Sequence, residues 1–244
     1  MNFNRRDFLK QSTMIGLLLP FDGMLNATPI ARSNTYLDLT RAIEISRRPA
    51  PAQPQVVSIL DLSSYSDADP AAFTYLSEKP YDFVILGLTE LTPTLARAIA
   101  KWVDSPFFIF EKLYSLDWRN AQILSSSGAN LDLGAVQNLS GETIEALAQT
   151  SGHLHLSFET ISLAMGRALK KHNGSLSLDL SVEPSYGAAL ELANHQGYEL
   201  FIYRLMQRPS EAFLSALSSN IEKTINFERQ PISGDFYFIE LMRG

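Results

Sequence analysis

The stretch Leu131-Asp132-Leu133-Gly134-Ala135-Val136-Gln137-Asn138-Leu139-Ser140-Gly141-Glu142-Thr143-Ile144-Glu145-Ala146-Leu147-Ala148 decides how this chain is read. Leu131 and Leu133 alternate with polar or small residues, the pattern of a strand with one buried face. The apolar positions then step to Val136 and Leu139. After a turn they recur at Ile144, Leu147 and Ala148 with helical spacing. Gly152 follows, and a fresh alternation starts at Leu154 and Leu156.

The same unit recurs on both sides. Counting the pattern gives strand starts at Val57-x-Ile59, Phe83-x-Ile85, Phe108-x-Phe110, Leu131-x-Leu133, Leu154-x-Leu156, Leu176-x-Leu178, Leu200-x-Ile202 and a last Phe236-x-Phe238. The helix anchors Phe73, Ile99, Leu124, Leu147, Leu169, Leu192 and Leu217 stand 26, 25, 23, 22, 23 and 25 residues apart. A regular period of this length marks stacked units, none of which buries its own apolar face alone. A strand–helix–strand crossover takes roughly 30 residues or more, so the period argues against a Rossmann sheet or a (β/α) barrel.

These units resemble bacterial leucine-rich-repeat-like arrays of the form Leu-x-Leu-x-Gly-Leu-x-x-Leu-x-x-x-x-Ala-x-x-Leu-Ala, most closely at Phe83–Ala100 and Leu131–Ala148. The resemblance implies an α/β solenoid with parallel strands on one face and short helices on the other. It covers Val56 to Leu217. One departure stands out: the turn asparagine of the common leucine-rich repeat is replaced by Leu62, Leu88, Leu113 and Val136, so the turns need another source of hydrogen bonds. Helices are expected over Pro93–Val103, Gly141–Gln149, Leu163–His172, Tyr186–Asn194 and Ser210–Ser219. Gly128, Gly152, Gly174 and Gly197 fall near helix ends, where a left-handed conformation is expected.

The N-terminus carries Asn4-Arg5-Arg6-Asp7-Phe8-Leu9-Lys10 followed by Met14-Ile15-Gly16-Leu17-Leu18-Leu19. This resembles a twin-arginine translocation signal, with Arg5, Arg6, Phe8, Leu9 and Lys10 as its motif and an apolar run too short to span a bilayer. The resemblance implies transit through the twin-arginine translocase and a periplasmic or secreted location. The expected organisation is therefore a signal segment over 1–31, a cap helix and proline-rich linker over 32–55, and the repeat array with its C-terminal cap over 56–244.

Composition narrows the functions. The chain of 244 residues is 45% hydrophobic and 19% charged, with a formal net charge of −6. No basic cluster suits a phosphate backbone, so nucleic acid is not an expected partner. Cysteine is absent, which excludes disulfides, thiolate metal sites and cysteine nucleophiles. No phosphate loop, dinucleotide fingerprint, zinc-protease helix or serine elbow occurs, and no cofactor is expected.

If the strands alternate as written, two rows of side chains face outward. One is Ser58, Val84, Ile109, Asp132, His155, Ser177, Phe201 and Tyr237; the other is Leu60, Leu86, Glu111, Gly134, Ser157, Asp179, Tyr203 and Ile239. The centre of this face is polar, and aromatic residues flank it. Glu111, Asp132, His155, Asp179, Phe201, Tyr203 and Tyr237 are the candidate partner-binding residues. His153 and His155, either side of Leu154, are read as facing apart, against a shared metal. His172 and His195 end helices, where a cation suits the dipole. The expected function is non-enzymatic: a binding or scaffold module recognising a protein or surface polymer through the strand face. The second reading is an exported hydrolase or carbohydrate-active enzyme using Asp132, His155 and Ser157.

Overall fold

The computed structural model describes residues 35–47, 57–102, 105–220, 223–230 and 236–243, with side chains described through 220 and at 239–242. The export-signal residues and most of the proline-rich linker lie outside the described residues.

Eleven strands and eight helices are described. The strands are β1 (Tyr36–Leu37), β2 (Ile59–Leu62), β3 (Asp67–Ala68), β4 (Phe83–Leu86), β5 (Phe107–Phe110), β6 (Asn130–Asp132), β7 (Leu154–Phe158), β8 (Leu176–Leu180), β9 (Glu199–Leu205), β10 (Lys223–Gln230) and β11 (Phe236–Arg243). The helices are α1 (Leu39–Ser46), α2 (Pro70–Leu76), α3 (Pro93–Ala100), α4 (Trp118–Ser125), α5 (Gly141–Leu147), α6 (Leu163–Leu169), α7 (Tyr186–Ala193) and α8 (Glu211–Leu217). The five helices expected from Pro93 onward start within a residue of where they were expected, and each ends one to three residues before its expected end.

The main sheet is open, nine-stranded and mostly parallel, in the order β10-β11-β9-β8-β7-β6-β5-β4-β2. From β2 to β9 its strands lie in sequence order and every pair is parallel. With crossovers of the usual hand, such an order puts all connecting helices on one face. Each helix from α1 to α8 accordingly packs against the next.

The core lies between sheet and helices. Leu60, Val84, Phe108, Leu131, Leu154, Leu176 and Leu200 form one in-register row across seven strands, and all are buried. Opposite them the seven helix anchors, Phe73 to Leu217, are buried to 1% or less. Full burial of a Leu or Phe is worth about 1.5–3 kcal/mol. Row-by-row repetition of that burial, rather than any single contact, holds the layers together.

All eight helices begin at a residue whose side chain accepts a backbone N–H of the first turn: Asp38, Asp69, Thr92, Asp117, Ser140, Ser162, Ser185 and Ser210. Such caps satisfy donors that the helix cannot. The turns without asparagine are satisfied by backbone. Their segments pair with the next turn: β1 with β3, Thr89 N–H to the Ser66 carbonyl, Ser115 with Asn138, and Val182 N–H to the Glu159 carbonyl. A second, shorter ladder thus stands where side-chain amides were missing.

Three expectations need correction. In the first two units the strand register is one residue later than written. Leu60, Val84 and Leu86 are buried on the core face, whereas Ile59 is 53% exposed. Runs such as Phe83-Val84-Ile85-Leu86 are apolar throughout and carry no phase. Next, the last strand is not another parallel repeat: β11 runs antiparallel to β9 and β10 antiparallel to β11. Ile239 therefore pairs with Ile202 on the core face and is fully buried, not outward. Finally, of the four glycines only Gly128 is left-handed (φ 68°). At Gly152, Gly174 and Gly197 a β-carbon would fall 2.3, 1.9 and 1.8 Å from the backbone oxygen of Ala129, Gly152 and Gly174. Close approach of one turn to the next, not φ, excludes a side chain there.

Candidate functional site

The outward face of the sheet carries a chain of charges across four neighbouring strands. Asp132 on β6 and His155 on β7 are paired in register, and His155 Nδ1 lies 2.9 Å from Asp132 Oδ1. His155 Nε2 lies 3.5 Å from Oδ2 of Asp179 on β8, an ion-pair distance longer than a hydrogen bond. The same Oδ2 lies 3.4 Å from Arg204 Nη1 on β9.

Burial alone would discharge His155, but the Asp132 carboxylate, seconded by Asp179, outweighs it and pushes the imidazole up to about 10. Asp132 is held below the usual carboxylate range: burial works against its charge, but His155 and the Gly134 N–H prevail. The Gly134 N–H donates to Asp132 Oδ1 at 3.0 Å. A β-carbon at Gly134 would lie 3.0 Å from His155 Cε1, so the missing side chain there makes room for the ring.

Arg204 reaches this face through a break in the strand. Alternation from Leu200 and Ile202 would send residue 204 into the core. Arg204 instead has φ 60°. Across the strand pair, Tyr237 opposes Leu205 while Ile239 opposes Ile202, so β9 carries one extra residue, a β-bulge. Leu205 takes the core position and is buried. The sequence signal for this was absent, because the bulge is defined by its partner strand.

The remaining candidates divide. Glu111 is exposed and its carboxyl is raised, first by partial burial and then by Asp61 and Asp132, with Lys112 opposing. Phe201 and Tyr203 do face outward, but both are buried, with ring centroids 6.0 Å apart, so neither is the exposed aromatic anchor expected. Tyr237 lies on antiparallel β11 opposite Leu205, outside the parallel stack, and its side chain is outside the described ones.

The histidines also differ from expectation. Residues two apart in a strand share a face, so His153 and His155 point the same way. The ring of His153 packs 5.2 Å from that of Phe107. Burial pushes His153 down to about 3, and neither of its nitrogens has a hydrogen-bond partner. His172 is fully buried and shifted downward by that burial, against the carbonyls of Ser175, Ala148 and Thr150. Burial thus disfavours the cation that a helix dipole would want; its ring lies tilted, 5.6 Å from that of His195.

Chemically, the charge chain is already paired within itself. A protonated imidazole between two carboxylates neither accepts a proton nor ligates a metal. Its Nε2 lies 3.5 Å from Oδ2 of Asp179. Among the described residues no group of three His, Asp or Glu side chains is placed to hold a metal ion. Among those residues no helix is long and apolar enough to cross a membrane. No protein-family model, no curated protein and no solved structure matches the chain.

Proposed function

We propose that this chain is a leucine-rich-repeat-like solenoid that binds a protein or surface polymer on the outward face of its sheet and performs no chemical step. The observation that carries the reading is the charge chain Asp132–His155–Asp179–Arg204. It presents fixed, mutually paired polar groups across four strands in sequence order. Paired charges of this kind set orientation and specificity at an interface. The in-register leucine row, the repeated caps and the second ladder support the solenoid. With Phe201 and Tyr203 buried, the contact surface is the polar centre, with Glu111 and Arg204 as its exposed members. The hydrolase reading has less support, since the two nitrogens of His155 face carboxylates, Asp132 at 2.9 Å and Asp179 at 3.5 Å.

The twin-arginine-like segment around Arg5 and Arg6 supports export through that translocase to the periplasm or beyond. A reporter fused to residues 1–31 tests it; export indifferent to the translocase removes the claim. For the binding face, the mature chain and a Glu111→Lys/Arg204→Glu variant are cross-linked in periplasmic extract. Loss of the wild-type adducts in a folded variant supports the reading, and identical adducts at identical yield refute it.

A further inference from the structure

Several of the exposed apolar residues are aligned rather than scattered. Trp118, Leu163 and Tyr186 are the first residues of α4, α6 and α7, and they are 43, 39 and 54% exposed. These helices pack in chain order, with α5 between α4 and α6. The three side chains therefore stand in one row, on the rim where strands lead into helices. Leu163 reaches the next helix: a β-carbon on Gly187, the second residue of α7, would lie 3.5 Å from Leu163 Cδ1. The matching position of α5 is Gly141, with nothing within 4 Å of a built β-carbon. The row thus has an open notch between Trp118 and Leu163. In the turns leading to this rim, Tyr114 and Val182 are exposed as well. One exposed leucine needs no explanation, but apolar side chains repeated at one position of successive units mark a contact surface.

The charges of the rim define the partner. The turns and first helical turns over Gly134–Thr143, Ser157–Gly166 and Ser181–Ala189 contain Glu142, Glu159 and Glu183 and neither Lys nor Arg. Glu183 is committed: its carboxylate accepts the Ser210 N–H at 2.8 Å and the Ser210 hydroxyl at 2.6 Å. Glu142 and Glu159 are exposed. At one end of the row, Arg119 holds its guanidinium carbon 5.5 Å from the centre of the Trp118 ring, a cation–π contact. Tyr186 offers a second aromatic face at the other end. A second copy of the chain would set the same acids against one another, and an anionic surface would meet the same repulsion. Cations interleaved with apolar side chains match both the row and its acids.

We propose that the row Trp118–Leu163–Tyr186 docks a basic, apolar-rich peptide segment of another protein. One apolar side chain of that segment enters the notch at Gly141, and its Lys or Arg side chains pair with Glu142 and Glu159. This rim is separate from the outward sheet face, so the site goes beyond the strand-face reading and stands or falls without it.

The test is selection of a phage-displayed random-peptide library on the full chain, with a Leu163→Ser/Tyr186→Ser variant as the counter-target. Peptides that bind the wild type and not the variant are expected, and they should combine Lys or Arg with Leu or aromatic residues. In fluorescence polarisation, such a peptide should bind Glu142→Lys/Glu159→Lys about tenfold or more weakly than the wild type, and added salt should weaken its binding to the wild type. Both variants alter only exposed side chains, so their Tm should match that of the wild type. Absence of discriminating peptides overturns the proposal, as do discriminating peptides that are neutral or acidic. Unchanged affinity in Glu142→Lys/Glu159→Lys overturns it too. A wild type that sediments as a dimer, with Leu163→Ser/Tyr186→Ser a monomer, assigns the row to self-contact and overturns it equally.

Discussion

A β-carbon on Gly174 would lie 1.9 Å from the carbonyl oxygen of Gly152. The obstacle is backbone on both sides, so neither turn yields by a rotamer change. Gly174→Ala should destabilise the chain by about 3 kcal/mol or more. Gly141, with nothing within 4 Å of the same built atom, is the control. Gly141→Ala should be neutral or stabilising by about 0.5 kcal/mol. Urea unfolding of the two variants checks the pair, and equal effects refute the stacking argument.

The His155 ion pairs should give the alkaline limb of stability. The folded pKa is raised to about 10 from 6.5, so the contribution is complete below 6.5 and is lost as pH rises towards 10. Tm should fall between pH 7 and pH 9. His155→Gln should be less stable at pH 7 by about 3 kcal/mol, since it leaves Asp132 without its charge partner and Asp179 with Arg204 alone, and its Tm should be flatter over the same interval. A wild-type Tm that rises towards pH 9 contradicts this.

His153 should act at the other end. Its folded pKa is lowered to about 3, so the unfolded chain takes up the proton first, and stability is lost as pH falls from 6.5 towards 3. His172, also shifted downward, pulls the same way. His153→Leu leaves no ring nitrogen unpaired and should change stability at pH 7 by less than about 1 kcal/mol. Between pH 6.5 and pH 4 its Tm should decline less steeply than that of the wild type. Parallel acid limbs refute the assignment.

Asp117 is the most heavily used cap. One of its oxygens accepts the N–H groups of Arg119 and Asn120, and the other accepts the Asn120 side-chain amide at 2.7 Å. Asp117→Ala should cost about 1–2 kcal/mol and Asp117→Asn less. Denaturation of the two variants at pH 7 is the measurement; equal losses assign the effect to charge instead of the cap.

How much of this was legible depends on where the determining contacts lie. Leu131-x-Leu133 and Leu154-x-Leu156 state their buried face because a polar or small residue separates the leucines. Phe83-Val84-Ile85-Leu86 states none, and there the phase follows only from pairing with β2 and β5. The helix anchors were legible because a 22–26-residue period survives in the sequence. The Asp132–His155 contact was legible for the same reason: a register of stacked strands follows from the period. Arg204 was not, since its place depends on β11, thirty-odd residues later, and on a bulge that only pairing defines. Nor was the reversal of β11, because Phe236-x-Phe238 alternates like any parallel strand. The burial of Phe201 and Tyr203 likewise depends on tertiary surroundings that alternation does not encode.

The turn-back of β11 gives this chain a grammar of growth. An eighth parallel strand would have to pair where β11 already lies, antiparallel along β9. The C-terminal side of the sheet is therefore closed to another copy of the unit. If the chain is the proposed solenoid, gain or loss of a strand–helix unit should fall within the parallel run from β2 to β9, where every junction is parallel and in register. A tolerated internal deletion should remove one whole strand–helix unit, and a cut that divides a unit should not be tolerated. On the solenoid reading, such a chain would change length by whole steps of about two dozen residues, with its last hairpin left in place.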